Sequence, residues 1–428
     1  GTLSNPKSVL TAAQRRRFEL AKKEFDQPIV IVTEEEAREN ESVKASGEKT
    51  WIFDAKNVRD FGWASSRKFI WDAMAVNVGK KTPLAMSYYP KEGNPLWEKY
   101  STKAVAQTLK TYSKHTIDYP YPVAISVNAK SIGMEYPMIC FNYGRCEKDG
   151  TYSERTKYGM IGVIIHEVGH NFFPMIINSD ERQWTWMDEG LNTFVQFLTE
   201  KEFDRDYPSR RGSARNIRDY MGGDKTRISP IMTNSESIYQ FGNNAYGKPA
   251  TALNILRETV MGRDLFDHAF REYSRRWAFK HPSPADFFRT MEDASGVDLD
   301  WFWRGWFYTT DHCDIAMEDI TWLQMESGDP DVEAALRQEA DERNPEDITQ
   351  MRNAAGGIPQ SYLEADPTLN DFYTTTGKYE VLDLDRQEAS EARAKLSDEQ
   401  REMLSSGKQF YEITFRNVGG LVMPLILE

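Results

Sequence analysis

Histidine and cysteine are scarce here: six and three residues in a chain of 428. Cys140, Cys146 and Cys313 are too few to frame a chain of this length with disulfides, so free, buried thiols are expected, with a Cys140–Cys146 bridge as the alternative. No run of about eighteen apolar residues occurs, which excludes a membrane-spanning helix. The opening residues, GTLSNPKSVLTAAQRRR, hold no apolar stretch, so no secretory signal is visible. Gly1 reads as an added residue and the chain as a segment of something longer, leaving cell envelope and cytoplasm both open as locations. An excess of basic charge is also missing. The net charge of −13 argues against nucleic acid as a partner. Most of that charge is local: residues 326–408 carry 20 acidic and 9 basic side chains, leaving a net of only −2 elsewhere. No internal repeat is present, and the sequence says nothing of oligomeric state.

What is present is a large apolar fraction, 40%, with 12% aromatics, in a chain long enough for two or three structural units. A charged helix is predicted near Thr11–Phe25. Strands are predicted at Pro28–Thr33, through TWIFDAKNVRDFGWASS from Thr50, at Lys68–Val78, Pro83–Tyr89 and Tyr121–Ala129. Leu96, Tyr100, Val105, Leu109 and Tyr112 recur at helical spacing within Asn94–Ser113. Residues 157–173 are apolar all round and predict a buried helix ended by Pro174. A second helix is predicted over Asp188–Phe203 with Asp188 as its N-cap, and helices continue to about Tyr308. Ser283, Pro284 and Asp286 mark one helix start. The aromatic run Trp301, Phe302, Trp303, Trp306 and Phe307 reads as core. Strands followed by helices give an α+β class, a mixed α/β lobe beside a helical lobe. The expected organisation is an N-terminal extension or linker (1–49), a catalytic domain (50–320), an acidic, partly helical connector (321–408) divided by Gly356–Gly357, and the opening strands of a β domain (409–428).

The sharpest signal is HEVGH, His166–His170, which fits the metal-binding pattern H-E-x-x-H. Residues four apart share one face of a helix, so the two imidazoles can meet at one point with Glu167 beside them. The apolar helix IGVIIHEVGHNFF would bury these ionisable groups, which is costly unless they are paired or hold a metal. A catalytic zinc usually has three protein ligands and one open position. Glu189, in WTWMDEGLNTFVQF, follows His170 with eighteen residues between.

H-E-x-x-H, eighteen residues and a glutamate within W-x-D-E-G resemble the gluzincin metallopeptidases of the aminopeptidase N type. GMEYP (Gly133–Pro137) resembles that family's G-x-M-E-N exopeptidase motif. AYGKPATALNIL (Ala245–Leu256) resembles its Y-x-K-G segment. RRWAFKHPSPADFFRTMEDASGVDLDWFWRGWFY is similar to its helical lobe. The resemblance spans roughly residues 50–320. It implies a thermolysin-like catalytic domain holding one zinc ion per chain on His166, His170 and Glu189. It implies Glu167 as general base toward a zinc-activated water, and Tyr246, with Tyr239 as competitor, as hydrogen-bond donor to the oxyanion. Glu135 would bind the substrate's α-amino group, Gly133 and Met134 would align the peptide as an added strand, and peptide or protein N-termini would be the substrates. Tyr136 departs from the usual asparagine and Pro249 from the common glycine. The family's N-terminal β domain has no visible counterpart. A zinc endopeptidase, an epoxide hydrolase on the same site and an inactive peptide-binding protein remain the alternatives.

Overall fold

A computed structural model describes residues 1–44, 46–323, 325–344 and 365–427. The chain forms two units, residues 1–314 with 419–428, and residues 315–418.

The first unit opens with β1 (Thr2–Leu3), α1 (Pro6–Val9), α2 (Ala12–Ala21), β2 (Ile29–Val32), α3 (Glu34–Ser42) and β3 (Phe53–Asp54). Thr11 caps α2 in a reciprocal pair with Gln14, and Thr33 caps α3 in the same way with Glu36; each pair satisfies orphan N–H groups of the first turn. Next come β4 (Ile70–Ala75), β5 (Leu84–Tyr89), α4 (Leu96–His115), β6 (Val123–Asn128), β7 (Met134–Tyr136) and β8 (Ile139–Asn142). These strands build a six-stranded sheet in the order β2-β4-β5-β6-β8-β7. β5, β6 and β8 run parallel, and α4 makes the crossover from β5 to β6. Burial on both faces explains why β4, β5 and β6 read as near-continuous apolar runs.

Residues 1–49, expected as an N-terminal extension or linker, contribute β2, the strand predicted at Pro28–Thr33, as the outer strand paired with β4. One stretch differs from expectation. The strand-like stretch from Thr50 forms only the two-residue β3, with Trp51, Phe61 and Trp63 exposed. Aromatic and β-branched residues favour strands by packing on a pleated, half-buried surface, and this stretch lies outside the sheet that would supply one.

The helical half holds α5 (Glu154–Gly169), α6 (Leu191–Phe203), α7 (Arg218–Met221), α8 (Lys248–Ile255), α9 (Arg263–Trp277), α10 (Pro284–Ser295) and α11 (Asp300–Tyr308). α10 starts as its sequence predicts, with Ser283 and Asp286 capping each other and Pro284 in the first turn. The aromatic run is core: Phe302, Trp303, Trp306 and Phe307 are buried. Trp186 stacks on Phe288 (5.9 Å, 8°), so this core also braces the turn that leads into α6. All three cysteines are free; Cys140 is buried and Cys313 exposed, the latter against expectation.

In the second unit, β9 (Ile315–Leu323) and β10 (Phe410–Asn417) pair antiparallel on either side of the acidic segment. Within that segment lie α12 (Pro330–Arg343) and helices Asp383–Ala394 and Asp398–Ser405. Gly356–Gly357 lie outside the described residues. Among the described residues, no helix is long and apolar enough to cross a membrane.

Candidate metal and active site

α5 carries the two histidines. Ser153 caps its start, accepting from Thr156 N. The regular helix ends at Gly169, because Phe173 adopts the extended conformation (φ −126°, ψ 109°) that a following proline imposes. His166 and His170 stand one turn apart with ring centroids 4.6 Å apart, edge to face. Glu189 comes from the turn Trp186–Gly190, which runs directly into α6.

Three ligand atoms converge. His166 Nε2 lies 3.1 Å from His170 Nε2 and 3.1 Å from Glu189 Oε2, and His170 Nε2 lies 3.3 Å from the same oxygen. Tetrahedral zinc, with bonds of about 2.0–2.2 Å, requires ligand–ligand edges of roughly 3.3–3.5 Å. The triangle therefore fits zinc. The other atom of each ligand is already engaged. His166 Nδ1 donates to Gln196 Oε1 (2.9 Å), His170 Nδ1 donates to Phe173 O (2.8 Å), and Glu189 Oε1 accepts from the Tyr246 hydroxyl (2.6 Å). These bonds assign both imidazoles the tautomer whose Nε2 lone pair faces the triangle. Two facing lone pairs repel unless a cation or proton lies between them.

The sequence reading missed part of this surround. Asp188, expected as an N-cap, caps nothing, since the helical path begins before it. Its buried Oδ1 lies 2.9 Å from His170 Nδ1. That N–H points to the Phe173 carbonyl, so Asp188 acts on the imidazole through its charge. Gln196 and Asn192 were also missed. Gln196 Nε2 is held by Gly162 O and Glu200 Oε1, and Asn192 Nδ2 donates to His166 O (2.9 Å). The available signal was helical spacing: Gln196 follows Glu189 by seven residues, two turns along the same face. Asp188→Asn is expected to weaken zinc binding about 10–100-fold with the fold intact, as loss of an outer-sphere carboxylate does. A competition titration against a zinc-chelating dye checks this; wild-type affinity in the variant would remove Asp188 from the surround.

Glu167 is buried, and its Oε2 accepts no hydrogen bond among the described residues. Glu135, on β7, brings a carboxylate oxygen close to both Glu167 and His170, the three ligand atoms lying within 4.8 Å of one another. Burial pushes the Glu167 carboxyl up to about 8, with Glu135 and Glu189 adding to the rise and His170 opposing it. Burial likewise raises Asp188 to about 7. Four carboxylates (Glu135, Glu167, Asp188, Glu189) thus crowd two imidazoles, an arrangement that a divalent cation would relieve.

β7 is the sheet's edge strand, and its side chains alternate. Glu135 faces the histidines, whereas Tyr136 lies on the opposite face with its ring against Phe141. The Tyr136 departure therefore leaves the Glu135 face unchanged. Gly133 approaches α5 so closely that a Cβ there would meet Glu167 Oε1 at 2.4 Å and Val163 Cγ2 at 2.9 Å, so a larger residue would have to displace the Glu167 carboxylate. Met134 is exposed. Pro249 rests on Gly190, where a Cβ would meet its ring at 2.6 Å. The Tyr246 ring lies over His166 (5.7 Å, 26°), while Tyr239 is exposed and away from the cleft lining. A cavity of about 650 Å³ starts at Gly133 and Glu167, passes His166 and Tyr246, and runs between α5 and α6 to residues 207–211.

Residues 100–306 match the family profile described as "Peptidase family M1 domain". Among curated relatives, "Probable aminopeptidase 1" of Sulfurisphaera tokodaii is 23% identical over 217 residues, covering 47% of this chain and 27% of that protein. "Aminopeptidase M1-A" of Oryza sativa subsp. japonica is 19% identical over 232 residues, covering 51% and 26% respectively. The chain thus spans about a quarter of the length of these relatives. Among solved structures, an M1 zinc metallopeptidase from Deinococcus radiodurans aligns at 19% identity and a TM-score of 0.42, covering 54% of this chain and 49% of that one.

Proposed function

This chain carries a peptidase family M1 domain, and on that premise we propose that it is a zinc-dependent aminopeptidase. The observation that carries the reading is the triangle of His166 Nε2, His170 Nε2 and Glu189 Oε2, with the carboxylates of Glu167 and Glu135 on its rim.

His166, His170 and Glu189 would hold one zinc ion. Bound there, zinc supplies Lewis-acid polarisation of a water and of the peptide carbonyl. Glu167 takes the proton from the attacking water and delivers it to the leaving nitrogen. Its oxygen without a hydrogen-bond donor suits this, because a general base must keep a lone pair free. The Tyr246 phenol donates to Glu189 Oε1 in the substrate-free chain and would turn that single O–H to the carbonyl oxygen as negative charge develops on it. The β7 edge offers unpaired backbone groups that align an extended peptide, with Gly133 allowing the strand to lie tight against α5. Glu135 pairs with the substrate's α-ammonium, a charge-assisted contact that favours a free N-terminus over an internal peptide bond.

The test compares peptides with free and acetylated N-termini. The wild-type chain loaded with zinc is expected to hydrolyse the free peptide and to leave the acetylated one nearly untouched. Glu135→Ala is expected to lose roughly 10²-fold in kcat/KM on the free peptide, the range of a buried ion pair that has lost one partner. Equal cleavage of both peptides by the wild type would replace this reading with an endopeptidase.

A further inference from the structure

The far end of the cleft holds a cation with no direct ion-pair partner among the described residues. Arg211 is half-buried and lines the cavity, and its guanidinium stacks on the Tyr246 ring at 4.2 Å. Among the described residues it forms no ion pair and donates no hydrogen bond, so its five N–H donors are left without a protein acceptor at the cavity wall. Of the acidic residues lining the helical wall, Glu200 is buried and accepts from Gln196, and burial raises its pKa, while Glu154 is exposed. Burial pushes the Arg211 pKa below its ordinary value, with Tyr246, Glu189 and Glu200 opposing the fall. Arg155 and Arg210 also line the cavity, both exposed and without an ion pair among the described residues. Arg155, Arg210 and Arg211 thus outnumber Glu154 and Glu200 in the lining away from the metal triangle, whereas Glu135 and Glu167 crowd the other end.

Distance limits what this charge can read. Arg211 to Tyr246 is 4.2 Å, and Tyr246 to His166 is 5.7 Å. Arg211 thus lies within roughly 10 Å of the first histidine, about three residues of extended chain. Glu135 anchors the other end of the substrate in the proposed function, so the chain beyond the scissile bond is the part that reaches Arg211.

Resting on that reading, we propose that Arg211 binds a carboxylate on the leaving side of the substrate, making short peptides with a carboxylate one to three residues past the scissile bond the preferred class. A guanidinium fixed on an aromatic face keeps its planar fork rigid, which suits bidentate carboxylate recognition. The carboxylate is either the C-terminus of a di- to tetrapeptide or an acidic side chain.

The test uses Ala-Ala-Ala, its C-terminal amide and Ala-Ala-Asp amide with the zinc-loaded chain, its Arg211→Met variant and its Arg211→Lys variant. The wild type is expected to prefer the free acid over the amide about tenfold or more in kcat/KM, chiefly through KM. That ratio should fall toward one in Arg211→Met and be partly kept in Arg211→Lys. A mere packing role on Tyr246 would slow all three peptides alike and leave the ratio unmoved. Preference for the Asp amide over the plain amide, lost in Arg211→Met, assigns the acidic side chain as a source. Equal rates on all three wild-type reactions, or a preference surviving in Arg211→Met, overturns the proposal. Equilibrium binding of acid and amide to Glu167→Gln, with and without Arg211→Met, reads the same ratio without turnover. If no peptide is hydrolysed, the aminopeptidase reading fails, while a binding ratio that collapses with Arg211 still upholds the carboxylate site.

Discussion

Replacing Glu167 by glutamine is expected to leave zinc bound and to cut peptide hydrolysis by roughly 10²–10⁴-fold, the usual share of a positioned general base. The substitution preserves shape beside Gly133, where even an added Cβ would meet Glu167 Oε1 at 2.4 Å. It removes only the ability to accept a proton. Glu167 makes no hydrogen bond to His166, His170 or Glu189, so the three proposed ligands keep their orienting partners. A buried carboxylate oxygen without a donor is a standing cost to the fold, so the variant should be at least as stable as the parent. Metal content by mass spectrometry and initial rates on a free-amine peptide check the two halves separately. Activity within tenfold of the wild type would remove Glu167 from the chemistry. Loss of zinc would make it part of the metal's support instead.

Glu189→Ala is expected to act at the earlier step and abolish activity by losing the metal. Wild-type chain should carry about one zinc; the variant should carry little after dialysis. Structural zinc sites bind with about 10–16 kcal/mol across their ligands, so losing one of three should weaken affinity by roughly two to three orders of magnitude. The substitution also frees Tyr246, whose hydroxyl donates to Glu189 Oε1, and leaves two Nε2 lone pairs facing each other at 3.1 Å. Without the metal, that repulsion and the remaining carboxylates act against the fold, so added zinc should raise the melting temperature of the wild type far more than that of the variant. Equal zinc content in both chains would move the third ligand elsewhere, with Glu135 the first candidate because it also lies near His170.

The two histidines were legible because their relation is local. A four-residue separation on a helix brings both rings to one side wherever that helix packs. The start of α10 was legible for the same reason, its caps lying three residues apart. Glu189 was reached only through spacing and resemblance, because nothing within eighteen residues of chain fixes where it will lie. Asp188 was misread because an aspartate at a helix start looks like a cap in any sequence. Its carboxylate reaches His170 only because the Trp186 turn is braced against the aromatic core of α10 and α11. Arg211 sits in a polar loop and carries no periodic signal at all.

By itself the sequence determined most of the helices and the sheet strands at Pro28–Thr33, Lys68–Val78, Pro83–Tyr89 and Tyr121–Ala129, and pointed to the proposed metal motif, since backbone periodicity and capping act over one or two turns. Tertiary structure alone decided that β2 joins the sheet, that β7 lies at its edge against Glu167, and that Arg211 faces the cleft. Those placements follow from burying apolar surface between segments distant in sequence, a collective optimum that no short stretch of chain encodes.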